Sequence, residues 1–396
     1  MRILIVHNTY RYEGGEETYI RLLVKMLRSN GHTVLLHTKS STEISTLKEK
    51  IRAGIGLFWN SASFKEIQAI IDTFQPDIAQ IQNIFPLFSP SIYHVFARNN
   101  IPIVQRISNY RLLCPKSTLF RNGNICELCI SKRFSSPAIL FGCYGKSQIA
   151  SFIYSLAFFF HKYIMRSFNL VDAYIFPSKF TKNYISRFFP LNKKKTFHLP
   201  SPAPLITIVN SPKKNGEDYF LYAGRIAEEK GILELIDIFS LQEFRNKRLH
   251  IIGDGPDMDR ALQKAKGMKN IIFFGPMTKN KILRYMAGSI AVFATSKWYD
   301  VQPNVILESL SLKIPVIAPK QENFQEVIDK DSGHLYGSVD ELKRIISRVW
   351  EIRSIRRKNK IRLSKANTVQ SHYDGLFVIY KKLILNEGKK IRRHTS

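Results

Sequence analysis

The sequence predicts an α/β protein made of two doubly wound domains in tandem. Three observations carry this expectation. At 396 residues the chain exceeds one ordinary core, since domains of roughly 100–200 residues are the usual size. Short apolar runs alternate with longer helical patterns along both halves. The runs are continuously apolar, which is the pattern of strands in parallel sheets covered on both faces.

In the first half the predicted strands lie at 3–6, 33–37, 78–82, 101–105 and 173–176, and in the second at 219–223, 249–252, 270–274, 290–294 and 314–318. Between the two sets Pro200, Pro202 and Pro204, followed by Lys213, Lys214 and Gly216, mark a linker at 199–217. The expected domains are therefore 1–200, with a cysteine-rich insertion at 108–146, and 201–368. A C-terminal segment, 369–396, starts as a helix expected to pack back on the first domain and ends in a basic tail, "GKKIRRHTS", expected to be disordered.

The longest uncharged run, "SQIASFIYSLAFFFH" at 147–161, falls short of the roughly 18 apolar residues of a bilayer span. It reads as a buried helix, with an interfacial membrane helix as the alternative. The start, "MRILIVHN", is a buried-strand pattern without a charged leader or cleavage site, so a cytoplasmic protein is expected. Sixty Lys and Arg against 31 Asp and Glu leave a net charge of +29, which favours phosphorylated ligands, anionic lipid or nucleic acid without choosing among them.

Three loops suit a phosphorylated ligand. Gly14 and Gly15 stand between the first strand and a helix, where glycines admit close backbone approach and free amides favour an anion. In "FLYAGRIAEEKGILELI" a strand ends at Gly224, Arg225 follows at its tip, and Lys230 precedes Gly231 and a helix. Arg as a fork of donors and Lys as a point charge would meet a diphosphate, the bland alternative being pairing with Glu228 and Glu229. The Gly253-Asp254-Gly255 turn reads as a backbone wall of the same cleft.

Further on, "SKWYDVQPNVILESL" carries Asp300 and Glu308 around a helix start predicted at Gln302 or Pro303. That places Asp300 in the loop, Glu308 in the helix, and free amides between them at the positive end of the helix dipole. Two carboxylates for hydroxyl groups and a helix start for phosphate are what a sugar nucleotide requires. The alternative is a capping Asp and a surface Glu.

The ordered set "AGRIAEEKG", "IIGDGP", "NIIFFGPM" and "DVQPNVILE", with "GGEE" near the start, resembles the family-four retaining glycosyltransferases of bacterial polysaccharide biosynthesis. The resemblance covers nearly the whole chain. It implies the GT-B fold, two Rossmann-like domains facing across a cleft. It also implies transfer of a hexose from a UDP- or GDP-linked sugar to a polyprenyl-diphosphate-linked saccharide at the inner face of the membrane, with no metal needed for catalysis. By that resemblance Arg225, Lys230 and Asp300 are the catalytic residues. Gly15, Gly224, Gly253, Gln302, Pro303, Asn304, Val305 and Glu308 complete the donor site, Glu308 on the ribose hydroxyls. Ser108, Asn109, Tyr110 and Arg111 face the acceptor. Two positions depart from the pattern: Asp300 replaces the usual Glu, and Ser108 stands where related enzymes often carry His.

Cys114, Cys126, Cys129 and Cys143 fall within 30 residues and include a C-x2-C pair, so they could close a structural zinc site, with four free or buried thiols as the alternative. A similar cysteine insertion is a feature of related bacterial enzymes. Two competing readings remain: a homologue that binds a sugar nucleotide without turnover, motivated by Ser108 and Asp300, and a zinc-containing nucleic-acid-binding protein, motivated by charge and cysteines. The second leaves the doubly wound pattern and the acid pair unexplained.

Overall fold

The computed structural model describes residues 1–10, 14–204, 218–348, 351–352 and 361–394. The chain divides into two units. The first comprises Met1–Leu119, Cys126–Pro200 and Gln370–Ser396; the second comprises Phe120–Ile125 and Ser201–Val369. Phe120–Ile125, inside the expected insertion, thus groups with the second unit. From residue 205 onward the expected linker lies outside the described residues.

In the first half the strands are β1 (Arg2–Thr9), β2 (Thr33–Ser40), β3 (Ile78–Ile81), β4 (Ile103–Arg106), β5 (Phe120–Arg121), β6 (Asn124–Ile125), β7 (Ala173–Phe176) and β8 (Thr196–His198). β5 and β6 form a small antiparallel hairpin. The rest make one parallel sheet in the order β2-β1-β3-β4-β7-β8. Ile3, Leu4, Ile5 and Val6 are all fully buried, the burial on both faces that their unbroken apolar run implies.

The second unit continues with β9 (Tyr219–Ala223), β10 (Arg248–Ile252), β11 (Ile271–Phe273), β12 (Val292–Phe293), β13 (Val316–Pro319) and β14 (Gly333–Tyr336). They form a parallel sheet in the order β11-β10-β9-β12-β13-β14. Phe220, Ile236, Phe239, Leu249, Ile251 and Phe293 belong to its main core, where the helix Ile232–Phe239 covers the sheet. All ten predicted strands are present. β8, β14 and the hairpin were not predicted, for a common reason: β8 and β14 are short edge strands and β5 and β6 have two residues each, so none carries an apolar run.

Each sheet reverses its strand order at one place, between β1 and β3 in the first and between β9 and β12 in the second. In doubly wound sheets ligands bind at the carboxyl ends of the strands at such a switch point. Those ends are Tyr10 and Gln82 in the first unit, and Gly224 and Ala294 in the second.

Two expectations need correction. The apolar run forms the helix Gln148–Phe159, but its buried face holds Ser151, Tyr154, Ser155 and Ala157, while Ile149, Phe152 and Leu156 are exposed. The buried face takes small and polar side chains together with Tyr154, and three large apolar ones are left in solvent. The expected disordered tail instead continues the last helix, Val369–His394.

That last helix is held by buried side chains. Leu376 and Tyr380 are fully buried, and the Tyr380 hydroxyl donates to Gln80 Oε1 at 2.7 Å. His372 Nδ1 donates to the Pro200 carbonyl at 2.7 Å, which leaves Nε2 to accept from the Tyr19 hydroxyl at 3.0 Å. Burial pulls the His372 imidazole down to about 4. Its folded value lies below the unfolded one, so its contribution to stability is intact above about pH 6.5 and is lost as the pH falls toward 4. We expect urea unfolding to show the wild type losing about 2–3 kcal/mol from this group between pH 7.5 and 4.5. That part of the pH slope should be missing in His372→Gln; equal slopes would refute the assignment.

Candidate functional site

In the second unit the crevice between β9 and β12 gathers most of the residues singled out from sequence. Gly224 follows β9 directly, its amide donating to the Ile252 carbonyl at 3.0 Å, and the Arg225 carbonyl accepts from the Tyr222 hydroxyl at 2.8 Å. Gly231, the residue before the helix Ile232–Phe239, has φ 71°, and a Cβ there would lie 2.2 Å from the Thr295 carbonyl oxygen. Thr295 in turn donates its hydroxyl to the Lys230 carbonyl at 2.7 Å. At Gly253 a Cβ would lie 1.9 Å from the Gly224 carbonyl oxygen. Glycine at 231 and 253 thus lets the loops after β9, β10 and β12 touch backbone to backbone.

The charged groups come in pairs. Lys230 Nζ donates to Asp300 Oδ2, which also accepts from the Ser296 hydroxyl at 2.9 Å, and Lys230 Nζ lies 5.2 Å from the centre of the Trp298 ring. Arg225 pairs with Glu229, four residues on. The alternative of local pairing therefore describes Arg225, whereas Lys230 reaches an acid 70 residues away. Glu308, with a side chain only 4% exposed, pairs with Lys279, the first residue of the helix Lys279–Gly288. A carboxylate this buried requires a cation or hydrogen bonds.

The helix carrying Glu308 is Asn304–Ser311, starting one or two residues later than expected. Pro303 has ψ 123° and stands as its N-cap, with no side-chain capping bond. The backbone amides of Asn304 and Val305 therefore open the helix between Asp300 and Glu308, as predicted. The Gln302 side chain is engaged elsewhere, its Oε1 accepting from the Ser201 amide at 2.7 Å. Lys279 and Asn323, whose amide donates to the Asp300 carbonyl, were not read from the sequence. Lys279 follows the "FFGPMT" turn after β11, and its place there was the available signal.

The first unit places its residues at the other switch point. Gly15 opens the helix Gly15–Ser29, but the anion at that start is the chain's own Glu17, which accepts from the amides of Tyr10 at 3.1 Å and Gly14 at 2.8 Å. Burial pushes Glu17 up, yet His7, 3.7 Å away, and the bonds from these amides outweigh it and hold the carboxyl below its ordinary value. The amides of Tyr10 and Gly14 are thus not free for an external phosphate. Asn109 donates to Glu16 Oε1 at 3.3 Å, Tyr110 is fully buried, and the Arg111 amide donates to Asn109 Oδ1 at 3.0 Å. The sequence reading missed Arg106, the buried last residue of β4, whose guanidinium donates to the Ser108 hydroxyl and lies 3.8 Å from the centre of the Tyr19 ring.

The four cysteines are free. Cys114, Cys143 and Cys126 all act on Cys129, whose thiol is pushed up to about 12 first by burial and then by these neighbours. Among the described residues no three His, Cys, Asp or Glu side chains stand as a group that could hold a metal ion.

Residues 207–365 match the family model of the glycosyl transferases group 1. Over 98 residues the chain is 32% identical to TuaC of Bacillus subtilis, named for a glycosyltransferase of teichuronic acid biosynthesis, a match spanning 24% of this chain and 23% of TuaC. The chain spans less than half the length of the curated relatives it matches. Sucrose-phosphate synthase from Thermosynechococcus elongatus has the same fold at TM-score 0.64 and 14% identity, over 100% of this chain and 99% of that one. Anabaena HepE in complex with UDP and glucose follows at TM-score 0.56 and 13% identity, over 100% and 99%. The GT-B class implied by the motifs is borne out by these structures and by the two six-stranded parallel sheets.

Replacing Gly231 by Ala should separate the loops that meet there. We expect Gly231→Ala to destabilise the second unit by more than about 1 kcal/mol, because the added Cβ meets backbone and the φ is unfavourable. A thermal midpoint equal to wild type would show that the close approach is not needed.

Proposed function

We propose that the protein, whose residues 207–365 match the family model of the glycosyl transferases group 1, is a retaining glycosyltransferase moving a hexose from a nucleotide diphosphate sugar to a lipid-linked saccharide during surface polysaccharide synthesis. One observation carries the reading: Arg225, Lys230, Asp300 and the start of the helix Asn304–Ser311 meet at the switch point of the very unit that the family model matches. In this reading Arg225 and Lys230 take the diphosphate. They leave Glu229 and Asp300 in part to do so, and neutralise the charge that develops on the leaving group as the acceptor attacks from the same face. Asp300, released from Lys230, turns to the hydroxyls of the transferred sugar, and Glu308 takes the ribose. No step calls for a divalent ion, since two cations already face the diphosphate.

HepE was solved with UDP, so UDP is the first nucleotide to try. Calorimetric titration of UDP, GDP and ADP in magnesium-free buffer should find one that binds the wild type and binds Lys230→Ala about tenfold or more weakly, the worth of a charge-assisted contact. Binding of none of the three would end the transferase reading. With donor and acceptor in hand, proton NMR of the fresh product should show the anomeric configuration of the donor, and inversion would refute retention.

The lipid-linked acceptor suits the surface of the first unit. The helix Leu47–Gly56 exposes Leu47, Ile51 and Ile55 on one face, and the helix Gln148–Phe159 exposes Ile149, Phe152 and Leu156. A Cβ on Gly54 would lie 3.6 Å from Ile153, so the two helices are neighbours. Lys48 and Arg52 are exposed on the first of these helices, and Lys132, Arg133 and Lys146 are exposed in the segment that precedes the second. Apolar stripes among cations are the make-up of a surface that lies on anionic lipid, and no helix among the described residues is long and apolar enough to cross a membrane. The protein should sediment with vesicles containing phosphatidylglycerol at low salt, and Ile149→Asp with Phe152→Asp should remain in the supernatant. Equal partition of both would refute this surface.

A further inference from the structure

The first unit holds a cavity that the donor chemistry does not use. It lies at the carboxyl ends of β3 and β4 and has a volume of about 50 Å³, room for one small group such as a phosphate or carboxylate. Gln82, Arg106 and Arg111 line it, with Glu16, Asn109 and Tyr93.

Gln82 is the informative residue. It follows β3 directly and is only 3% exposed. Its backbone is fully engaged: the amide donates to the Val6 carbonyl at 3.0 Å, and the carbonyl accepts from Gln105 Nε2 at 2.6 Å. Its side chain is the opposite case, for neither Oε1 nor Nε2 has a hydrogen-bond partner among the described residues. A buried amide with both atoms unsatisfied is costly, and such groups are retained where a ligand completes them.

Arg111 adds charge. Its guanidinium lies 5.2 Å from the centre of the Phe85 ring and 5.9 Å from that of Tyr154, and its Nε has no hydrogen-bond partner among the described residues. Among the described residues no carboxylate forms an ion pair with it. Arg106 brings a second guanidinium to the same wall. Glu16 is the acid of this lining; it accepts from Asn109 Nδ2 at 3.3 Å, and burial pushes its carboxyl up.

We infer that this cavity is an oxyanion subsite for the acceptor: Arg111 and Gln82 take a phosphate or carboxylate group on the glycan, Arg111 as donor to the anion and the Gln82 amide to the anion and a neighbouring hydroxyl. The inference rests on the transferase reading for the identity of the ligand, but the site itself stands on the first unit alone. The acceptor would accordingly be an acidic or phosphorylated saccharide, and a neutral glycan of the same shape would bind poorly.

The test uses the full chain in a Lys230→Ala background, which blinds the donor site to phosphate. Inorganic phosphate, pyrophosphate, glucuronate and, as the neutral control, glucose are titrated and followed by saturation-transfer NMR and by chemical shift. At least one anion should bind Lys230→Ala, and the same anion should bind about tenfold to a hundredfold more weakly once Gln82→Leu or Arg111→Met is added. Preference for phosphate and pyrophosphate identifies a phosphorylated acceptor, and preference for glucuronate a sugar acid. Gln82→Leu guards against loss of folding, because it replaces an unsatisfied amide with an apolar side chain of similar size and should keep or raise the thermal midpoint. Failure of every anion to bind Lys230→Ala, equal binding of glucose, or unchanged anion affinity in Gln82→Leu would overturn the subsite. UDP binding to the wild type with no anion response removes the subsite and leaves the transferase reading; anion binding without UDP binding does the reverse.

Discussion

A parallel sheet that reverses its strand order parts two neighbouring loops at the carboxyl ends of its strands, and this separation governs where chemistry can occur in the molecule. Both sheets have one such reversal, and the notable side chains cluster at these two places. In the second unit they are Arg225, Lys230 and Asp300; in the first Gln82 ends β3 at the reversal, with Asn109 and Arg111 in the loop after the next strand, β4. The helices and strands elsewhere exist to bury apolar residues. At the reversals the buried groups are polar instead, and each needs a partner or a ligand.

Those partners explain the charge pattern of the second unit. Asp300 and Glu308 are among its most buried acids, and each is held by one lysine, Lys230 and Lys279. A cation that neutralises a buried acid is also the cation a diphosphate would attract. Exchange of one anion for another keeps the local charge balanced, so the crevice can be filled or empty without an isolated buried charge in either state. Gly231 and Gly253 make this possible by letting three loops close on each other without side chains between them.

The fold was legible in the sequence because parallel strands must be apolar on both faces, and every such run became a strand. What was missed lay at the edges of the sheets or, as in the hairpin, in strands of two residues, where partial exposure removes the signal. In the site, the glycine and charge motifs after β9 and before the helix Asn304–Ser311 were read correctly as neighbours in space. Their resting partners were not, because pairing of Lys230 with Asp300 and of Lys279 with Glu308 depends on loops far apart in the chain. Arg106 and Gln82 sit at the ends of apolar runs, where a polar residue reads simply as the end of a strand. The helix at 148–159 was misread in orientation, since composition does not say which of its faces the core will take.

Ser108 weighs differently once Arg106 is seen. A serine cannot carry the positive charge of the histidine that related enzymes have at this position, and on sequence alone the change favours a protein that binds without turnover. In the structure the guanidinium of Arg106 touches the Ser108 hydroxyl and is fixed there by the face of Tyr19. The charge absent from the side chain at 108 is therefore supplied within hydrogen-bond reach of it, by a residue that is always protonated. Together with Arg111 it brings two guanidinium groups to this end of the first unit, beside the carboxyl of Glu16, so the loss of a histidine at 108 does not leave this end of the sheet without positive charge.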